Sequence, residues 1–281
     1  MAASPSPDEI YFFQTNGYLV VENFLELAHV SHLRDVTAAA VDRRRHRHES
    51  GEIDDHIDID GANTRILQIL ADDPAFVDLI DHPPLLPYVR KLLNPEPHFH
   101  ASDAIWEIAP SARNPGWHID GWCGGYRMLR PGIPLLQLKV GYFLSDMTLP
   151  DQGNLMVVPG SHHTDIEPDR QCLEGFDTFL GATQLCVPEG SCVMFHNALW
   201  HTRGPATRPD GRRLMLYYAY EHPWMVGNPE HWTYPRKFYD GLSPQHRAYF
   251  HGFAFDPPTC AGPESRCDLP QSGFRPNPRA R

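Results

Sequence analysis

The stretch Leu135-Leu136-Gln137-Leu138-Lys139-Val140-Gly141-Tyr142-Phe143-Leu144 is an apolar run about as long as one strand, and five similar runs lie between residues 98 and 220. They are Phe99 to Ile108, Asn154 to Val158, Thr183 to Val187, Ser191 to His196 and Leu214 to Tyr220, separated by Gly, Pro and polar residues. Six short runs at this spacing predict an antiparallel sandwich or barrel. Composition agrees, because 28 prolines and 21 glycines among 281 residues favour turns over long helices. The length suits one large β-rich domain, and a single domain over 1–281 is expected.

Outward from this core, roughly residues 5–95 read as helical support. A helix over Asp8 to Asn16 can be capped by Ser6 or Asp8 and stopped by Gly17, and a short strand, Tyr18 to Val21, follows. Leu25 to His48 carries Leu27, Val30, Leu33, Val36 and Ala40 at near-helical spacing. Two short helices, Pro74 to Asp81 and Pro84 to Leu93, each open on a proline. Beyond the β core at about 97–222, an aromatic and proline-rich segment at about 223–256 is expected to pack over the barrel, and 257–281 reads as a loose tail.

The formal charge of -11 argues against a nucleic-acid surface, which needs clustered Lys and Arg. The one basic run, Arg43-Arg44-Arg45-His46-Arg47, sits at a helix end and reads as solvated there. No stretch has the apolar length of a membrane span, and Asp8, Glu9 and Asn16 interrupt what a signal peptide would need, so a cytoplasmic location is expected. The six cysteines form no Cys-x-x-Cys pair, which favours free thiols over a zinc ribbon or a disulfide framework.

His118-Ile119-Asp120 and His201, roughly eighty residues downstream in Leu199-Trp200-His201-Thr202-Arg203, make a two-histidine, one-carboxylate set. Such a set leaves the other metal positions open, as non-heme Fe(II) oxygenases require. The tripeptide is weak alone: chance gives about one His-x-Asp, and His56-Ile57-Asp58 and His163-Thr164-Asp165 also occur. The acidic segment around His56 fails as a calcium loop, since the twelfth position holds Leu67 or Arg65 in place of a glutamate, and it reads as a solvated turn. His163-Thr164-Asp165 leaves a strand and lies closer to His201 in the chain. His118 and Asp120, placed on one face of an extended segment, can hold an ion together, with enough strands before His201 to bring it alongside. Downstream, Arg212-Arg213 opens the strand Leu214 to Tyr220, where a guanidinium can clamp a carboxylate. His98, His100 and His196 read as hydrogen-bonded core histidines. Trp122, Tyr126 and Arg127 fit a pocket wall or a solvent-side loop equally well, and Trp224 and Met225 fit aromatic packing better than a lid.

Five stretches together resemble the phytanoyl-CoA dioxygenase family of iron- and 2-oxoglutarate-dependent oxygenases. They are Asn16 to Val21, Trp117-His118-Ile119-Asp120, Gly141 to Asp146, Gly153 through Val157-Val158-Pro159-Gly160-Ser161-His162, and His201 through Arg213 into Tyr220. The resemblance implies a double-stranded β-helix, or jelly-roll barrel, with Fe(II) held by His118, Asp120 and His201. It also implies 2-oxoglutarate and dioxygen as cosubstrates, a small-molecule substrate, and hydroxylation with release of succinate and CO2. The cosubstrate's distal carboxylate would meet an arginine. The family's spacing after the last histidine points to Arg212, whereas strand register points to Arg213, which we prefer because loops absorb insertions and strands do not. An aromatic near the cosubstrate would be Tyr142, with Arg65 a further candidate. Ala206 departs from the Asn often found at its position. A zinc-dependent hydrolase and an inactive metal-binding jelly roll are the competing readings.

Overall fold

The computed structural model describes residues 4–52, 56–113, 116–121, 126–129, 132–165, 175–176, 179–225, 234, 236–250, 253–255 and 274–276. Helix α1 (Pro7–Asn16) begins at a capping box in which Ser6 and Glu9 satisfy each other's backbone N–H groups. It ends at Gly17, whose φ of 80° is left-handed. A Cβ at Gly17 would also lie 2.5 Å from His162 Nδ1, so both backbone and neighbour demand glycine. Strand β1 (Tyr18–Val21), helix α2 (Leu27–Glu49) and the short helices α3 (Pro74–Asp78) and α4 (Leu86–Leu92) follow the sequence pattern closely.

The acidic segment at residue 57 is not a turn. Ile57-Asp58-Ile59-Asp60 alternates with period two and forms β2 (Ile57–Asp60), which pairs with β3 (Asn63–Leu67) as an edge hairpin. The basic run is likewise corrected. Arg44 is buried, 2.5 Å from Asp72, and donates to the Leu67 and Gln68 carbonyls, so it ties α2 to the end of β3.

All six apolar runs become strands: β4 (His98–Glu107), β5 (Gln137–Phe143), β6 (Leu155–Val157), β7 (Thr183–Gln184), β8 (Cys192–His196) and β10 (Arg213–Glu221). A further short strand, β9 (His201–Arg203), lies between β8 and β10 in sequence. The larger sheet has the order β1-β8-β5-β10-β4-β3-β2, and the smaller one β7-β6-β9. Every pairing is antiparallel. The two sheets are those of a double-stranded β-helix, and Phe143, Leu155, Val157, Val193, Phe195 and Met215 belong to one core cluster drawn from both.

Alternation on β5 and β10 sorts side chains between two environments. Leu138, Val140, Tyr142, Leu216, Tyr218 and Tyr220 pack with the helices in a second core cluster. Lys139, Tyr217 and Arg213 fall on the opposite face and line the space between the sheets. After β10, two short helices, Arg236–Gly241 and Pro244–Arg247, bring Tyr239, Tyr249 and Phe250 onto the helix-side core. Of the expected tail, only Phe274–Pro276 is described; it pairs with Phe253–Phe255.

Candidate active site

His118 and His201 come together through a single antiparallel bridge, with His118 N–H donating to His201 O and the reverse bond also at 3.0 Å. The expected strand at His118–Asp120 is therefore one bridge followed by a turn, held by Asp120 N–H donating to Asn197 O at 2.8 Å. One ligand atom from each of His118, Asp120 and His201 can be chosen so that all lie within 4.8 Å of one another. His118 Nδ1 lies 3.0 Å from Gly116 O, and His201 Nδ1 lies 2.9 Å from Leu199 O. Each ring can therefore donate from Nδ1 to the carbonyl two residues earlier, which leaves both Nε2 lone pairs for a metal.

Burial of Asp120 alone would raise its pKa, but Lys139, and the His201 and His118 rings wherever they are protonated, outweigh it and hold the carboxyl at about 2. Lys139 Nζ lies 3.7 Å from Asp120 Oδ2, and His201 Nε2 3.8 Å from the same oxygen. Burial, with His118 adding to it, depresses His201 to about 4. A carboxylate that stays ionised beside a buried imidazole that stays neutral is the state a divalent cation needs. The donor set therefore fits such an ion.

The triad opens onto a cavity of about 250 Å³ between the sheets. Arg213 lines it and is 5% exposed, its Nη1 3.3 Å from Glu107 Oε1 and its Nη2 3.5 Å from Tyr217 Oη. Arg212 points out to solvent, where it donates to the adjacent Gly211 carbonyl. Arg65 lines the cavity beside Asp103, to which it is bonded. Tyr142 does not reach the cavity: as the partner of Leu216 across β10, it faces the helices among Phe24, His82 and Tyr218. Tyr217 is the aromatic of β10 that faces inward. Burial raises the pKa of Tyr217, and Arg213 beside it offsets part of that rise.

The other His-x-Asp tripeptides go elsewhere. Asp58 pairs with Arg113 at the cavity rim, 2.6 Å away. His163 Nε2 lies 2.8 Å from Gln14 O, against α1. His100 is a core histidine, 2.7 Å from the buried Glu221. Tyr126 accepts from Gln137 Nε2 at 3.2 Å. Trp224 is exposed and stacked on His222, while Met225 packs into a cluster with Trp117 and Trp200. Trp122 and the Arg127 side chain lie outside the described residues.

Sequence reasoning missed Lys139, Glu107 and Arg203. The signal was positional: Lys139 sits between Leu138 and Val140 on the inward register of β5, and Arg203 is two residues from His201 on a strand, hence on its face.

A jelly roll carrying two histidines and a carboxylate around a cavity defines the class of non-heme metal oxygenases. The family profile described as Phytanoyl-CoA dioxygenase (PhyH) matches residues 13–214, and the chain belongs to that family of iron- and 2-oxoglutarate-dependent oxygenases. It is a non-heme iron enzyme with 2-oxoglutarate and dioxygen as cosubstrates. Ectoine dioxygenase of Sphingopyxis alaskensis is 25% identical over 263 residues, 80% of this chain and 81% of that one. The solved apoform of EctD from S. alaskensis superposes with a TM-score of 0.64 at 22% identity, covering 81% of this chain and 83% of that one. HygX from Streptomyces hygroscopicus, solved with nickel and 2-oxoglutarate, has a TM-score of 0.60 at 19% identity, covering 79% and 89%. These structural likenesses concern the fold. Among the described residues, no helix is long and apolar enough to cross a membrane.

Proposed function

We propose that the protein hydroxylates an unactivated C–H bond of a small, polar metabolite, with 2-oxoglutarate converted to succinate and CO2. The observation that supports this most is the opening of one cavity onto both His118-Asp120-His201 and the buried guanidinium of Arg213. When bound, Fe(II) would supply dioxygen activation coupled to oxidative decarboxylation of the 2-oxo acid. The chain's own residues supply the rest. His118, Asp120 and His201 hold the metal, and Arg213 fixes the distal carboxylate with charge-assisted hydrogen bonds. The surrounding sheets limit the access of water. With a carboxylate at Asp120, no ligand position is left for the chloride that halogenating relatives use.

The wall favours polar substrates over long acyl chains, because Arg65, Asp103, Lys139 and Tyr217 line it. A zinc hydrolase has no use for Arg213, and the intact triad argues against a silenced enzyme. The test is succinate formation across a metabolite panel that includes ectoine and an acyl-CoA, under isotope-labelled dioxygen. Hydroxylation predicts one labelled oxygen in the product and one succinate per turnover. Product formed without labelled oxygen or without succinate would contradict it.

A further inference from the structure

Glu107 ends β4 directly opposite Arg213 in the sheet register, while Arg203 approaches from β9 in the other sheet. One carboxylate therefore serves two buried guanidiniums, Oε1 lying 3.3 Å from Arg213 Nη1 and Oε2 3.6 Å from Arg203 Nη1. Both separations exceed the roughly 2.7–2.9 Å of a tight charge-assisted bond. Arg203 and Arg213 are 8% and 5% exposed, and Arg203 Nη1, Arg213 Nε and Glu107 Oε2 have no hydrogen-bond partner. The other cations of the wall have their own carboxylates: Arg65 has Asp103, Arg113 has Asp58 and Lys139 has Asp120. Asp60 accepts from Ser111. Glu107 is thus the one carboxylate within ion-pair reach of both Arg203 and Arg213, held by each at long range, while Asp60 acts on Arg203 from further off and Arg203 Nη2 donates to the Arg113 carbonyl.

We infer that Glu107 and Arg203 form a counter-ion exchange for the cosubstrate: Glu107 shares Arg213 and Arg203 while the seat is empty, and passes wholly to Arg203 when the distal carboxylate of 2-oxoglutarate takes Arg213. This rests on the reading of Arg213 as the carboxylate anchor. Glu107 and Arg203 are positioning residues whose effects on binding have opposite signs. Without Glu107, Arg213 is free and the seat more positive. Without Arg203, Glu107 competes for Arg213 and is stranded beside a second carboxylate when it loses.

The exchange is tested by anaerobic calorimetric titration of 2-oxoglutarate into the Mn(II)-loaded full-length protein, which reads binding apart from turnover. Glu107→Gln should bind about threefold tighter or more, and Arg203→Gln about tenfold weaker or more. The double variant should return to within about threefold of wild type, because Arg203 is needed only to hold Glu107. Unchanged Mn(II) affinity would show that the metal site is intact in each variant; should Arg203→Gln fail to load Mn(II), the sign of the Glu107→Gln effect decides alone. Weaker binding by Glu107→Gln, or a loss from Arg203→Gln that persists in the double variant, would overturn the exchange while leaving the proposed function standing. Failure of the Mn(II)-loaded wild type to bind 2-oxoglutarate would overturn both.

Discussion

Two groups of histidines lie in this barrel, and they differ in what their ring nitrogens are committed to. In His118 and His201, Nδ1 reaches a carbonyl two residues back in its own segment, and His201 Nε2 lies 3.8 Å from Asp120 Oδ2. In the second group, His162 and His163 sit with centroids 3.8 Å apart, and His162 lies 5.0 Å from His196. There the Nε2 atoms of His162 and His163 meet Gln14 O at 3.0 and 2.8 Å, and His196 Nδ1 accepts from Ala198 N–H at 2.9 Å. Among the described residues, no carboxylate joins them in a metal-holding group. The second group locks α1 and Gly17 onto the barrel, while the first is the one proposed to hold the metal. A histidine's role here follows from which nitrogen remains free and whether a carboxylate faces it.

The comparison breaks most visibly at the metal. His118→Ala, Asp120→Ala and His201→Ala should each weaken Fe(II) binding by about 100-fold or more and abolish turnover. His163→Ala should leave both unchanged, as equilibrium dialysis of Fe(II) under anaerobic conditions would show. Next in size, Arg213→Ala should raise the 2-oxoglutarate requirement by about tenfold to a hundredfold, with Arg212→Ala within about twofold of wild type. Equal 2-oxoglutarate binding in both variants would sink the arginine assignment. At the structural corner, Gly17→Ala should cost about 1–3 kcal/mol in denaturant unfolding without changing Fe(II) affinity, because its φ is left-handed and a Cβ meets His162.

The smallest effect is on pH. Burial, with His162 and His163 adding to it, depresses His196 to about 3, and burial with His29 depresses His82 to about 4. These rings stay neutral when folded, whereas in the unfolded chain they take protons from about pH 6.5 downward. Stability should therefore be fully present above about pH 6.5 and decline as pH falls toward 4. His196→Asn, which keeps an acceptor for Ala198 N–H, should make that decline shallower in thermal melts. A melt profile of His196→Asn parallel to wild type across this window would remove His196 from the account.

Much of the barrel could be read from the chain because its strands are apolar runs between turn residues, and strand register favoured Arg213 over Arg212 as the inward-facing arginine. The β2–β3 hairpin was hidden because Asp58 and Asp60 suggested a loop, although Ile57 and Ile59 alternate with them. Strand β9 is three residues long and owes its existence to pairing with β6. Tyr142 was misplaced because a family position does not convey which face of β5 it occupies, whereas the alternation of Leu138, Lys139 and Val140 does. The proposed ligands His118, Asp120 and His201 could be singled out by residue type and spacing, and the fold brings them within 4.8 Å of one another. Glu107, Lys139 and Arg203 could not, since a charge is ordinarily read as solvated until the fold shows it facing inward.

The claim that one histidine group holds iron and the other holds the fold is tested most directly by anaerobic titration of Fe(II) into the full-length protein with 2-oxoglutarate present. A weak visible charge-transfer band is predicted for wild type, His163→Ala and His196→Asn, and its loss for His118→Ala, Asp120→Ala and His201→Ala. A band that survives in His118→Ala, or vanishes in His163→Ala, would contradict the assignment.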